Sequence, residues 1–319
     1  MRGRSGKRDL MMNSKLLEMR HRLGDVRREL WPRYKELRLH RLGDQDAWWR
    51  ERAHEGYLKY ERKYADLIEM GVPAEERMRS DRVWVLWLQG MNAAPELVKA
   101  CHNSLIEQLP DKRITVLSNE NLDDFIDLPG YIRDKQINGI IPMAHFSDLI
   151  RVNLLSNHGG TWMDSTVLLT GDEIPRYSMD QPLFCFKELN LSNKDRAPIV
   201  ASSWFISAYS GSSILGLTQK LLWHYWETSN KLDQYFLFHI FFALSCRRYP
   251  DEWNAVPVFN NATPHELMFE LGDPFSSERW GQICRATDVH KLQRYDTFGE
   301  GTNYRHVIDE WGSASDQLS

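Results

Sequence analysis

The run Val83–Leu88 (VWVLWL) constrains the fold more than any other feature of the chain. It is apolar throughout, rich in Val and Trp, and stops at Gln89-Gly90. That length and composition read as a strand buried on both faces. Pro95 to Gln108 (PELVKACHNSLIEQ) follows, with Leu97, Val98, Cys101, Leu105 and Ile106 at helical spacing and a proline at its start. Pro110 and Asp111 break it, and Arg113 to Leu117 (RITVL) reads as a second strand. Strand, helix and strand in so short a span are the grammar of a parallel sheet with a right-handed crossover. Ligands of such sheets bind beyond the carboxyl ends of the strands. Those ends are Gln89-Gly90 and Ser118-Asn119-Glu120. No GxGxxG and no GxxxxGK followed by Ser or Thr comes after either strand, which speaks against a dinucleotide fold or a P-loop. No GxSxG nucleophile elbow occurs either.

Composition allows an α/β body of this kind. The 319 residues are 42% apolar and 26% charged, with mean hydropathy -0.52. These values fit a soluble globular chain and argue against disorder or collagen. No apolar run is long enough to read as a transmembrane helix. The first residues, MRGRSGKRDL, lack the apolar stretch that makes a secretion signal. Cys101, Cys185, Cys246 and Cys284 form no CxxC pair, so neither a disulfide framework nor a structural zinc site is read, and a reducing cytosol is the simplest home.

Charge is uneven along the chain. Residues 1–80 hold 20 Lys+Arg against 14 Asp+Glu, and the remainder holds 20 against 30. The segment 1–75 reads as helical and basic, in two stretches. One runs through Leu16, Leu17, Met19, Arg20, Leu23, Arg27, Arg28 and Leu30 to Pro32. The other, about Trp48 to Met70, carries Trp48, Trp49, Tyr57, Tyr60, Tyr64 and Leu67. Gly71-Val72-Pro73 is the joint, and 81–319 is the body. The plain reading of 1–75 is an appendage packing its aromatics on that body. A sharper one is peripheral contact with an anionic membrane, to which each basic residue adds about 1 kcal/mol. Nucleic acid is disfavoured, because no dense basic stripe or nucleic-acid-binding signature is present.

Ala144 to Thr170 (AHFSDLIRVNLLSNHGGTWMDSTVLLT) carries the chemistry. His145 to Ser156 fits a helix with Phe146, Leu149, Ile150, Leu154 and Leu155 as its apolar positions, and Asn157 to Gly160 ends it with glycines suited to left-handed backbone angles. Trp162 to Leu169 reads as one strand with Asp164 inside it. Asp148 and Arg151, three apart, share a helical face. Singly these residues are an ordinary helix ion pair and a strand-end carboxylate. Together they can hold sugar hydroxyls and a diphosphate, since the guanidinium fork matches phosphate oxygens.

The pattern SDxxR, a GG loop, then an aromatic, an apolar residue and Asp resembles the DXD-type, sugar-binding-region glycosyltransferases, and in particular the capsular polysaccharide synthesis protein family. The resemblance covers about Arg82 to Arg294. It includes VWVLWLQG, AHFSDLIR, GGTWMDSTVLLT, SSWFISA at Ser202 to Ala208, YFLFHIFF at Tyr235 to Phe242 and ATDVHKL at Ala286 to Leu292. It implies a GT-A-like, mostly parallel sheet flanked by helices. It also implies transfer of a sugar from a nucleoside-diphosphate donor, UDP-sugar favoured, to a glycan or lipid-linked acceptor, with retention of anomeric configuration.

By that resemblance Asp148, Arg151 and Asp164 are the catalytic set. Trp87, Gln89, Gly90, Asn119, Ser147, Gly160, Trp204, His290 and Lys291 border the donor. Asp164 matches the first aspartate of DXD, and Thr166 stands where the second would be. A divalent cation, Mn2+ or Mg2+, would then be held by Asp164 and His290, with a neutral hydroxyl at Thr166 in place of a charged ligand. On the residues alone, His290 reads as a polar surface or satisfied core histidine and Lys291 as a solvated charge. His145 and His158 read as structural, His239 as part of a core helix, and Trp204 as sugar platform or core in equal measure. Two other classes stay open: a degenerate glycosyltransferase-like scaffold, for which Thr166 is the argument, and a nucleotidyltransferase, which would release pyrophosphate.

Overall fold

The computed structural model describes residues 45–189, 197–294 and 296–312. The basic stretch from Leu16 to Leu30 lies outside these. The described residues divide into two units between Glu55 and Gly56. Helix α1 (Gln45–Lys63) runs through that division, and α2 (Ala65–Met70) follows it. Then come β1 (Arg82–Leu86), α3 (Glu96–Gln108), β2 (Arg113–Leu117), α4 (Gly130–Ile137), α5 (Met143–His158), β3 (Gly160–Met163) and β4 (Val167–Leu169). The order continues with α6 (Glu173–Met179), β5 (Leu183–Lys187), β6 (Ala201–Ala208), α7 (Ser213–Thr228) and α8 (Leu237–Arg248). It ends with α9 (Pro250–Ala255), α10 (Glu266–Glu270), α11 (Ser277–Ala286), β7 (Val289–Lys291) and α12 (Asn303–Trp311).

The central sheet has the order β2-β1-β3-β6-β5. β1 pairs in parallel with β2 and β3, while β6 runs against both β3 and β5, so β6 alone is reversed. This is the mixed α/β body with a mostly parallel sheet that the β1-α3-β2 grammar predicts. Period-two alternation divides β1 between two cores. Trp84 packs on one face with Trp162, Ile206, Leu149, Trp226 and Phe241. Val83 and Val85 pack on the other with Met163, Phe184, Phe186 and Phe205. Each such fully buried side chain contributes about 1.5–3 kcal/mol. Tyr57, Tyr60 and Tyr64, read from the sequence as part of the appendage, belong to the first of these cores.

Sequence and structure differ at one instructive place. Trp162–Leu169 is not a single strand. The chain turns at Asp164–Thr166, closed by Val167 N–H donating to the Asp164 carbonyl at 2.9 Å. β3 stays in the central sheet, and β4 leaves it to pair antiparallel with β7. The apolar run continues through the break because β4 is buried on both faces: Leu168 lies in a third core with Leu97, Cys101, Leu292 and Trp311, and Val167 and Leu169 lie in the second. Hydropathy cannot register a change of sheet when both sheets are dry. The glycine stop of α5 is as expected: Gly159 has φ 64°, and Gly160 has φ 100° where a Cβ would lie 2.5 Å from the Arg82 carbonyl oxygen. Among the described residues, no helix is long and apolar enough to cross a membrane.

Candidate functional site

Because β1, β2 and β3 are parallel, their carboxyl ends share one edge of the sheet. Trp87, Asn119 and Asp164 each follow directly on, or one residue beyond, these ends. The backbone knits the edge together. Trp87 N–H donates to the Leu117 carbonyl and Asn119 N–H to the Leu88 carbonyl, both at 2.9 Å. Asp164 N–H donates to the Trp204 carbonyl at 2.8 Å.

Arg151 organises the polar centre. Helical spacing puts its guanidinium beside Asp148, to which Nη1 donates at 2.6 Å, and Nη2 donates to Asp164 Oδ1 at 3.1 Å. The residue is only 4% exposed. Its charge is therefore out of water and needs both carboxylates. Two aromatic faces complete the seat: the guanidinium carbon lies 4.8 Å from the Trp162 ring centroid and 5.6 Å from that of Phe238. Trp162 also donates its indole N–H to Asp164 Oδ1 at 2.9 Å. Lys291, from β7, reaches the other oxygen of Asp164 at 3.5 Å and donates to Thr166 Oγ1 at 2.6 Å.

Two carboxylates and two cations thus form one compensated cluster. Burial by itself would raise the Asp148 carboxyl, but the neighbouring His145 ring and the Arg151 charge outweigh it and hold the carboxyl below its ordinary range. His145 Nδ1 stands 3.5 Å from Asp148 Oδ2. His239 sits near the same group. Burial, helped by Arg151 and His145 and opposed by Asp148, brings it down to about 4, so it is neutral at pH 7.

The structure therefore brings together Asp148, Arg151, Asp164 and Lys291, with Thr166 among them. Trp87, just past the end of β1, lies under the guanidinium of Arg294, whose carbon is 5.1 Å from its ring centroid. Gln89 is exposed in the turn closed by Gly90 N–H on the Trp87 carbonyl, and Ser147 is half-buried beside Asp148 on α5.

Three expected residues are elsewhere. His290 is completely buried, with Nε2 at 2.9 Å from Thr170 Oγ1 and Nδ1 without a partner. It neighbours Lys291 on a strand, so the two side chains leave on opposite faces, and the cluster takes Lys291. Burial lowers the His290 imidazole to about 4. Trp204 lends the site only its carbonyl. Its ring is 6% exposed, stacked on Phe186 at 4.8 Å and bonded to Asn261. Gly160 stands at the far end of β3, packed on the Arg82 carbonyl.

Sequence reasoning passed over Trp162, Phe238 and Arg294. Trp162 had a readable signal, because residues two apart on a strand share a face and Asp164 was already singled out. Phe238 and Arg294 come from distant elements and had none.

The donor set does not suit a protein-held divalent ion. Both Asp164 oxygens are taken by cations, the Thr166 hydroxyl accepts from Lys291, and His290 points away. Among the described residues, no group of three or more His, Cys, Asp and Glu is arranged to hold one.

Comparison with known proteins gives the family of the chain. No curated protein matches the sequence. One solved structure similar in shape is the "PaToxG Glycosyltransferase", at 12% identity and TM-score 0.38, with 64% of this chain and 82% of that one covered. A TM-score of that size carries no argument about fold or activity. The sequence likeness is decisive instead: the model of the capsular polysaccharide synthesis protein family matches residues 50–307, which takes in the whole central sheet and every residue of the cluster, and the chain belongs to that family.

Proposed function

We propose that the chain is a glycosyltransferase with a GT-A-like sheet. It would move a sugar from a nucleoside-diphosphate donor, UDP-sugar favoured, to a glycan or lipid-linked acceptor of a surface polysaccharide. The observation that carries the reading is the buried Arg151 fork joining Asp148 and Asp164 at the carboxyl edge of the sheet. A structural ion pair needs one carboxylate. Two carboxylates held by one arginine, with Asp164 still partly exposed and Lys291 on its far side, make a charged floor that can orient a polar substrate.

In this reaction the anomeric C–O bond breaks, and its electron pair leaves on the diphosphate. The acceptor hydroxyl forms the new bond and passes its proton to the departing diphosphate. Asp148 and Asp164 accept hydrogen bonds from donor hydroxyls and fix the sugar. Lys291 stabilises charge gathering on the leaving phosphates, a preorganised electrostatic contribution. Arg151 acts by holding both carboxylates. Trp87, at the end of β1, would border the base. No step is routed through a metal, since the donor set does not fit one. Retention of configuration and peripheral work at the inner face of a membrane belong to the same proposal.

The test is donor hydrolysis without acceptor, using UDP-, GDP- and CMP-sugars with and without manganese. Release of nucleoside diphosphate from one donor class, lost in Asp164→Asn and sharply reduced in Arg151→Lys, is the expected result. With a nucleoside triphosphate and a sugar phosphate as substrates instead, pyrophosphate release would move the chain to the nucleotidyltransferases. No turnover and no donor-induced stabilisation would leave the scaffold reading in place.

A further inference from the structure

The amino edge of the sheet carries a different charge arrangement. Arg82 opens β1, Arg113 opens β2, and the register sets them directly opposite. Matched positions of neighbouring strands put their side chains on one face, so two guanidiniums stand side by side, an arrangement that destabilises a sheet. Among the described residues, neither arginine forms an ion pair with a carboxylate. Asp81 precedes Arg82 and only partly offsets the repulsion. Burial first and Arg113 second keep the Arg82 guanidinium below its ordinary range, against the pull of Asp81.

Arg82 is nevertheless held in place. Its guanidinium lies 4.8 Å from the Trp84 centroid and 5.1 Å from that of Phe125, and Nη1 donates to Thr115 Oγ1 at 3.3 Å. A cavity of about 340 Å³ is lined by both arginines, Ser80, Asp81, Trp84, Phe125 and His158, so two cations stand there against one carboxylate. His158 donates Nε2–H to the Phe125 carbonyl at 2.8 Å, which fixes its ring on the wall. The cluster around Asp164 is a strand's length away, roughly 13 Å at 3.3 Å per residue.

We propose that this cavity is an anion site for a phosphate group, with Arg82 and Arg113 supplying the paired cations and the Trp84–Phe125 wall aiming the first of them. The arginine fork is suited to phosphate oxygens. An arriving phosphate relieves the repulsion between the guanidiniums, so part of the binding energy is stored in the empty sheet edge. The cavity is larger than a phosphate, so it takes a phosphate ester with part of its substituent. That ester is either a soluble metabolite or the headgroup of a lipid. The proposal does not depend on the transferase reading.

The experiment uses the full chain in three forms: wild type, Arg82→Gln/Arg113→Gln, and Arg151→Lys. Inorganic phosphate is titrated by calorimetry, and thermal unfolding is followed with and without it. Phosphate should bind wild type and Arg151→Lys alike, raise the Tm of both, and bind the double variant at least about ten-fold more weakly. The single Arg113→Gln variant, altered at an exposed side chain, guards against misfolding and should also lose affinity. Equal binding by wild type and the double variant overturns the proposal, as does loss of binding confined to Arg151→Lys. Flotation with phosphatidylcholine vesicles, with and without phosphatidic acid, separates the sources. Arginine-dependent flotation on the phosphatidic acid vesicles assigns a lipid headgroup. Arginine-dependent phosphate binding without flotation assigns a soluble ester.

Discussion

The two edges of the sheet carry opposite solutions to the same electrostatic problem. At the carboxyl edge Arg151 and Lys291 are matched by Asp148 and Asp164, and the arginine is buried. At the amino edge Arg82 and Arg113 face each other without an ion-paired carboxylate among the described residues, and Arg113 is exposed. Charge removed from water must be compensated within the protein, whereas charge left near water can wait for a ligand. The compensated edge satisfies its own charges, and the uncompensated edge is open to an anion.

The largest expected effect comes from breaking the compensated edge. Arg151→Met leaves the buried Asp148 without its arginine and Asp164 with Lys291 alone, and should cost about 3–5 kcal/mol in urea unfolding. Loss of less than about 1 kcal/mol would mean that the pairs are slack. Arg151→Lys should retain the fold and lower donor turnover by roughly 100-fold, the scale of one misplaced electrostatic donor.

Acid should act through two buried histidines, one beside this cluster and one behind it. His239 and His290 titrate near 4 in the folded protein against an ordinary 6.5, both because of burial. Unfolded chains take up these protons first, so stability is fully present above about pH 6.5 and is lost as pH falls toward about 4. Urea midpoints across that window should fall in wild type and fall less steeply in His290→Gln. Parallel curves would show that His290 does not contribute.

A smaller effect tests the metal argument. Free wild-type protein should bind manganese weakly. Thr166→Asp should gain about ten-fold, because a carboxylate then stands beside Asp164 where a hydroxyl was. Tight binding by wild type in calorimetry would show that the pairing of Asp164 with Arg151 and Lys291 yields readily to an ion. The smallest effect lies at the amino edge. Without phosphate, Arg113→Gln should stabilise the protein by up to about 1 kcal/mol, since it removes a like-charge neighbour. Destabilisation would mean that the repulsion is already screened.

Much of this was legible before any coordinates. The β1-α3-β2 unit followed from apolar run lengths, helical spacing and one proline. The Asp148–Arg151 pair followed from a spacing of three on a helix whose own periodicity was clear, and Gly159 and Gly160 marked its end. The break at Asp164 was hidden, because the residues on both sides are equally apolar. His290 and Lys291 were adjacent and equally plausible, and only the pairing of β7 with β4 decided which of them faces the cluster.

The sequence by itself determined the local elements and the pairs within one element, because backbone periodicity fixes which side chains share a face over a few residues. It also determined family membership, which the match over residues 50–307 expresses. Only the tertiary structure decided what met across elements. Arg151 found Asp164, Phe238 came under its guanidinium, Trp204 turned its ring into the core, and Arg82 was set against Arg113 by the register of two strands. Those encounters depend on strand order and register, which arise from burying many apolar faces at once, and no short stretch of residues encodes them.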